Sequence, residues 1–124
     1  MELDVVFFAA HPDDAELSCG GTIIKFVNSG KKVGIIDLTG GELGTRGTVE
    51  IRKREAKSAS NVLKISFRDN LGIKDGNIEN SSVNRAKIIS AIRKYKPRII
   101  FLPYKSDRHP DHQNANLLIK VIIP

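Results

Sequence analysis

Unbroken apolar runs alternate along the chain with stretches of helical period. Val5-Val6-Phe7-Phe8-Ala9-Ala10, Val33-Gly34-Ile35-Ile36-Asp37-Leu38 and Ile99-Ile100-Phe101-Leu102 are continuous and rich in β-formers. Such runs suit strands buried on both faces, as in a parallel sheet covered by helices. A shorter strand candidate, Ile65-Ser66-Phe67-Arg68, leads into an expected loop over 69–77. The spacing predicts a helix over 14–29 with Leu17, Ile24 and Val27 on one side, stopping at Ser29-Gly30. A second, over 48–63, gathers Ile51, Ala56, Ala59, Val62 and Leu63 near one face, and a third, over 82–96, gathers Ile88, Ile89, Ile92 and Tyr95 before Pro97 ends it. A last helix starts near Asp111 and runs through Leu117, Leu118 and Val121. The order βαβαβαβα predicts an α/β fold with a Rossmann-like open parallel sheet flanked by helices. Nothing divides the chain: residues 1–124 read as one domain, with no linker and no low-complexity segment.

In open α/β sheets, ligands bind beyond the carboxyl ends of the strands. The segments that follow three of the strands are therefore the places to look for chemistry. After the first comes His11-Pro12-Asp13-Asp14-Ala15-Glu16, and after the second Thr39-Gly40-Gly41-Glu42-Leu43-Gly44-Thr45-Arg46-Gly47. After the last comes Tyr104-Lys105-Ser106-Asp107-Arg108-His109-Pro110-Asp111-His112. All three histidines of the chain lie in these segments, and two of them open a His-Pro-Asp triplet. With Pro near 5% of residues, Pro-Asp should follow a given His roughly once in several hundred trials. Proline also biases the residue before it towards extended geometry, which holds His11 and His109 at a strand end or in a loop while the Asp residues begin the next helix.

Imidazole and carboxylate together make a metal site, and two histidines, one Asp and a water form a catalytic zinc arrangement. Zinc lowers the pKa of such a water and polarises a carbonyl, and a second carboxylate can take the water's proton. Asp13 and Asp14 offer both roles from adjacent positions, one ligating while the other faces the water. Each feature also has a plainer explanation. Asp13 with Glu16 resembles a capping box, acidic residues suit a helix N-terminus, and Asp111 could cap the last helix. Gly40, Gly41 and Gly44 read as turn residues, Arg52 as a solvated helix residue as readily as a functional one, and Cys19 as a small buried hydrophobe. Capping does not explain why three histidines join those acids at one sheet edge.

Composition adds limits. The formal charge of +6 comes from 20 basic and 14 acidic residues, but the basic ones are scattered and only seven aromatics, none of them Trp, are present. No nucleic-acid partner is expected from that distribution. No apolar run approaches the ~20 residues of a membrane span, and Met1-Glu2-Leu3-Asp4 lacks a basic leader, so neither a membrane nor a signal peptide is expected. A single cysteine excludes an internal disulfide, and together these features favour the cytoplasm.

The residues just named resemble the LmbE-like / PIG-L family of N-acetylglucosaminyl deacetylases. The matching text is Ala10 to Leu17, Cys19-Gly20-Gly21-Thr22, Gly41 to Thr48 with Arg52 and Glu55-Ala56, and His109-Pro110-Asp111-His112. The second block is most similar to the branch that includes the bacillithiol-biosynthesis deacetylases. The resemblance implies that His11, Asp14 and His112 bind Zn2+, with Fe2+ or another divalent ion as a substitute. It implies that Asp13 is the general base, that His109 stabilises the oxyanion or protonates the leaving amine, that Asp111 orients His109, and that Arg52 lies near the substrate's polar groups. The implied reaction is hydrolysis of the N-acetyl group of a GlcNAc-type amino-sugar conjugate by zinc-activated water. The implied partner is that small molecule, and the family also leaves room for a homo-oligomer. Family members run longer, with a later part that completes the sheet and the substrate pocket. The sheet is thus expected to be incomplete at its C-terminal side, and the alternative to an active deacetylase is a truncated, catalytically impaired remnant that still binds metal. An Fe(II) oxygenase could use two His and a carboxylate, but a β-rich host would be expected for it. A nucleotide-binding module would need a phosphate loop that is absent.

Overall fold

The computed structural model describes residues 1–123. Four parallel strands and four helices alternate: β1 (Val5–Ala9), α1 (Asp14–Asn28), β2 (Val33–Thr39), α2 (Val49–Leu63), β3 (Phe67–Ile73), α3 (Ser82–Tyr95), β4 (Ile99–Phe101) and α4 (Pro110–Lys120). The sheet order is β3-β2-β1-β4. Every pairing is parallel, with Val5 opposite both Val33 and Ile99. This is the open parallel sheet that the alternation predicts. Because the order reverses at β1, the chain leaves neighbouring strands β1 and β4 towards opposite faces, which opens a crevice at their carboxyl ends.

All residues of β1 and β2 are buried, as continuous apolar runs demand. Their side chains feed two cores. Val6, Phe8, Ile36 and Leu38 pack with Ile88, Tyr95 and Leu118 beneath α3 and α4. Val5, Phe7, Ala9 and Ile35 pack with Ala15 and Ile23 of α1, and Phe26, Leu63 and Phe101 close that side. Phe101 stacks on Phe7 with ring centroids 4.4 Å apart.

Several expectations are corrected. The region after Phe67 is strand as far as Ile73, not loop. Its polar sequence is tolerated because β3 is an edge whose side chains find partners: Arg68 bonds Asp37, Asn70 donates to the Thr39 carbonyl, and Tyr95 donates to Asp69. The buried face of α1 runs through Ala15, Cys19, Ile23 and Phe26, while Leu17 is 81% exposed and Ile24 is also exposed. On α2, Ile51 and Val62 point outward and the half-buried row is Arg52, Ala56, Ala59, Ser60 and Leu63. On α4 the buried pair is Leu118 and Ile119, with Leu117 and Val121 exposed. Ile24 beside Ile23, Val62 beside Leu63 and Leu117 beside Leu118 are apolar residues next to the true stripe that distorted the period. Strand β4 is a short edge with Ile99 exposed, rather than a strand covered on both faces.

Candidate metal centre

The crevice between β1 and β4 receives both His-Pro-Asp segments. His11 opens the turn after β1, Pro12 and Asp13 complete it, and Asp14 opens α1. His109 is the N-cap of α4, Pro110 its first residue, and Asp111 and His112 lie in its first turn. The three imidazoles meet there, with ring centroids 5.1 Å apart for His11–His109, 5.7 Å for His11–His112 and 4.9 Å for His109–His112.

Asp14 Oδ2 sits 3.2 Å from His11 Nδ1 and 3.0 Å from His112 Nε2. His11, Asp14 and His112 thus offer one ligand atom each within 4.8 Å of one another, as do His11, His109 and Asp111. His112 Nε2 is buried and has no hydrogen-bond partner among the described residues. A buried imidazole nitrogen that faces a carboxylate without a hydrogen bond joining them is the arrangement a cation satisfies, so this donor set fits a divalent metal. Burial works against the charge of Asp14, but the His11 hydrogen bond and the charges of His112 and His11 outweigh it and hold its carboxyl below the usual range.

The far side of His11 is equally crowded with acid. Its Nε2 lies 2.9 Å from Asp75 Oδ1 and 2.8 Å from Asp111 Oδ2, and both of those residues are buried. Asp111 meets His109 differently: its backbone N–H donates to His109 Nδ1 at 3.1 Å, while its carboxylate addresses His11. Burial tends to lower the His11 pKa, yet Asp14, Asp111 and Asp75 together raise it from 6.5 to about 9.

Asp13 occupies the N-cap position of α1, but its side chain makes no cap bond. Glu16 bonds Arg68 instead of closing a capping box. Asp13 is held at φ 86°, a left-handed conformation that costs a non-glycine residue of order 1 kcal/mol. Its exposed carboxylate stands 3.7 Å from Arg52. Partial burial and the neighbouring Asp14 charge raise its pKa. Arg52 donates to the carbonyls of Gly41 (3.0 Å) and Pro12 (2.9 Å), so it clasps the loops after β1 and β2 while lining the cleft. Gly41, at φ 68°, leaves the space that the guanidinium fills. The glycines of this loop thus do more than turn the chain.

Three residues escaped the sequence reading. Asp75 accepts the Leu43 N–H at 2.8 Å as well as facing His11. Glu42 accepts from the N–H groups of Gly40 and Asp75 and so ties the β2 and β3 loops together. Asp107 lies 3.2 Å from His112 Nδ1. Asp75 would have been flagged had the strand-end rule been applied to β3, and the other two lie inside segments it had already singled out. His11, Asp75, His109 and Asp111 line a cleft of about 420 Å³, open to solvent.

Residues 6–123 match the family described as GlcNAc-PI de-N-acetylase, PIG-L. A diacetylchitobiose deacetylase of Thermococcus kodakarensis is 33% identical over 92% of this chain and 46% of its own length. A probable N-acetyl-α-D-glucosaminyl L-malate deacetylase of Bacillus anthracis is 28% identical over 90% of this chain and 55% of its own. The crystal structure of a conserved protein from Thermus thermophilus superposes with a TM-score of 0.92 at 44% identity, covering 97% of this chain and 55% of that one. The chain therefore spans about half the length of the relatives it matches.

Proposed function

We propose, for a chain that belongs to the PIG-L family of de-N-acetylases, that residues 1–124 are a single domain that carries the metal centre of an amide hydrolase removing acetate from an N-acetylated amino sugar. The deacetylase names of two relatives, one acting on diacetylchitobiose and one on a GlcNAc–malate conjugate, support the reaction class and the substrate class. The observation that carries the reading is the clustering of ligand atoms of His11, Asp14 and His112 within 4.8 Å of one another, with His112 Nε2 unpartnered among the described residues.

In this reading His11, Asp14 and His112 hold the ion. Zinc is the expected cation, and Fe2+ fits the same donors. When bound, such an ion polarises an amide carbonyl and lowers the pKa of water. Asp13 takes the proton of the attacking water. Its carboxylate adjoins the ligand Asp14 in the chain, is exposed beside Arg52, is not spent on capping, and has its proton affinity raised by partial burial and by Asp14. His109 accepts the Asp111 N–H at Nδ1, so the neutral ring carries its own proton on Nε2. That N–H is a donor for the developing oxyanion, and the proton that Asp13 takes from the water is the one available to the leaving amine. Arg52 keeps Pro12 and Gly41 in place and offers its remaining edge to the polar groups of the sugar.

The test is zinc stoichiometry of the purified protein, together with acetate release from diacetylchitobiose and a panel of N-acetylglucosamine conjugates. One ion per chain, lost in His11→Ala and His112→Ala, with acetate release that depends on it, is the expected result. A chain that binds no divalent ion would sink the reading. One that binds zinc without releasing acetate would favour a metal-binding unit that is not itself catalytic.

A further inference from the structure

Asp107 is locked in place to an unusual degree for a loop residue. Its N–H donates to the Tyr104 carbonyl at 3.2 Å. Its own carbonyl accepts from the side-chain amide of Gln113, in the first turn of α4. Its two carboxylate oxygens are divided between the two histidines of the second His-Pro-Asp segment: Oδ1 accepts the His109 backbone N–H at 2.9 Å, and Oδ2 stands 3.2 Å from His112 Nδ1. The other nitrogen of that ring, Nε2, is the unpartnered one that faces Asp14.

We propose that Asp107 is a positioning residue that accepts the Nδ1–H of His112, and so fixes the tautomer and ring angle that present Nε2 to the metal. The inference rests on the reading of His112 as a ligand. An imidazole has one proton to place when neutral, and a carboxylate at Nδ1 decides where it goes. With Nδ1–H committed to Asp107, Nε2 keeps its lone pair directed at the site. Without that acceptor the ring rotates freely, or settles in the tautomer whose N–H blocks the ion.

The substitution Asp107→Asn separates this role from a merely structural one. The amide oxygen can still accept the His109 N–H, so the turn keeps its bond. The amide NH2 then faces His112 Nδ1, where it demands an acceptor and drives the ring proton to Nε2. Loss of an outer-shell partner costs roughly 10–100-fold in metal affinity, and the partial exposure of Asp107 puts the expected loss near the lower end, about 10-fold. Zinc affinity is read by competition with a chromophoric chelator, beside His112→Ala as the reference for ligand loss. Ring 15N shifts of His112 in the zinc-loaded wild-type protein supply a reading independent of any variant. The expected result is weaker zinc binding in Asp107→Asn at an unchanged metal-free melting temperature, with wild-type His112 bound through Nε2 and protonated at Nδ1. Wild-type affinity in Asp107→Asn alongside lost affinity in His112→Ala would overturn the inference and leave the metal site standing, as would coordination of wild-type His112 through Nδ1. Unchanged affinity in His112→Ala would overturn both.

Discussion

Asp14 Oδ2 and His112 Nε2 lie 3.0 Å apart, although one residue opens the first helix and the other sits in the first turn of the last. The contact exists because β1 and β4 pair side by side and both deliver their following segments to the same end of the sheet. Asp14→Asn keeps the shape of the side chain but removes the charge, and is expected to weaken zinc binding beyond the roughly 10–100-fold that loss of an outer-shell partner costs. Chelator competition measures it, and an affinity within the wild-type range would remove Asp14 from the ligand set.

Asp13 should behave oppositely. Asp13→Asn leaves the metal in place and lowers kcat by about 10²–10⁴-fold, the usual range for loss of a general base. Metal content and steady-state kinetics on the same preparation check both halves. Lost metal, or undiminished kcat, would show that the base lies elsewhere.

Proton competition at His11 sets a pH dependence. Its pKa in the metal-free fold, about 9, stands above the unfolded value of 6.5. The stability this contributes is therefore complete below about pH 6.5 and is lost as pH rises towards 9. Denaturant midpoints of the metal-free protein should fall across that window, and zinc uptake at neutral pH should release the His11 proton to a weakly buffered indicator. A flat midpoint and no proton release would contradict the expectation.

Gly41→Ala tests the clasp of Arg52. The added methyl would collide with the guanidinium, at a backbone φ of 68° that disfavours any side chain. A loss of about 1–3 kcal/mol in unfolding free energy is expected. Arg52→Ala should make the same glycine position more permissive, so the two changes combine less than additively in a double-mutant cycle.

Beneath the site, Arg68 bonds Asp37 through Nε at 2.8 Å and Nη2 at 3.2 Å, and Glu16 through Nη2 at 3.0 Å. Burial pushes the Asp37 carboxyl up to about 6 even with the guanidinium working against it. Arg68→Met strands that carboxylate and should cost about 3–5 kcal/mol, much of it restored by adding Asp37→Asn. Urea unfolding of the single and double variants decides whether the pair is a structural anchor for the start of α1.

Much of this architecture was legible from residue order. The runs at Val5 and Val33 fall where strands form because nothing polar interrupts them except Asp37, whose partner lies on the next strand. The two His-Pro-Asp triplets were legible for the same reason, since strand ends in an open parallel sheet share one edge. Strand β3 was legible only at its start, Phe67-Arg68: Asp69 and Asn70 look like loop until their partners on α3 and β2 are known. The carboxylate of Asp111 could not be assigned either. Sequence puts it two residues from His109, but the helical turn leaves its backbone N–H facing that ring and its side chain reaching His11.

The pairing of the first strand with the fourth has a kinetic meaning. Between His11 and His112 run the two intervening strands and their helices, so the donor set cannot assemble until the most sequence-distant contact in the sheet has formed. An ion held there acts as a buckle across the finished circuit. It would bind the native chain with no comparable grip on a partly built one, so the concentration of free metal would become a thumb on the scale of folding itself.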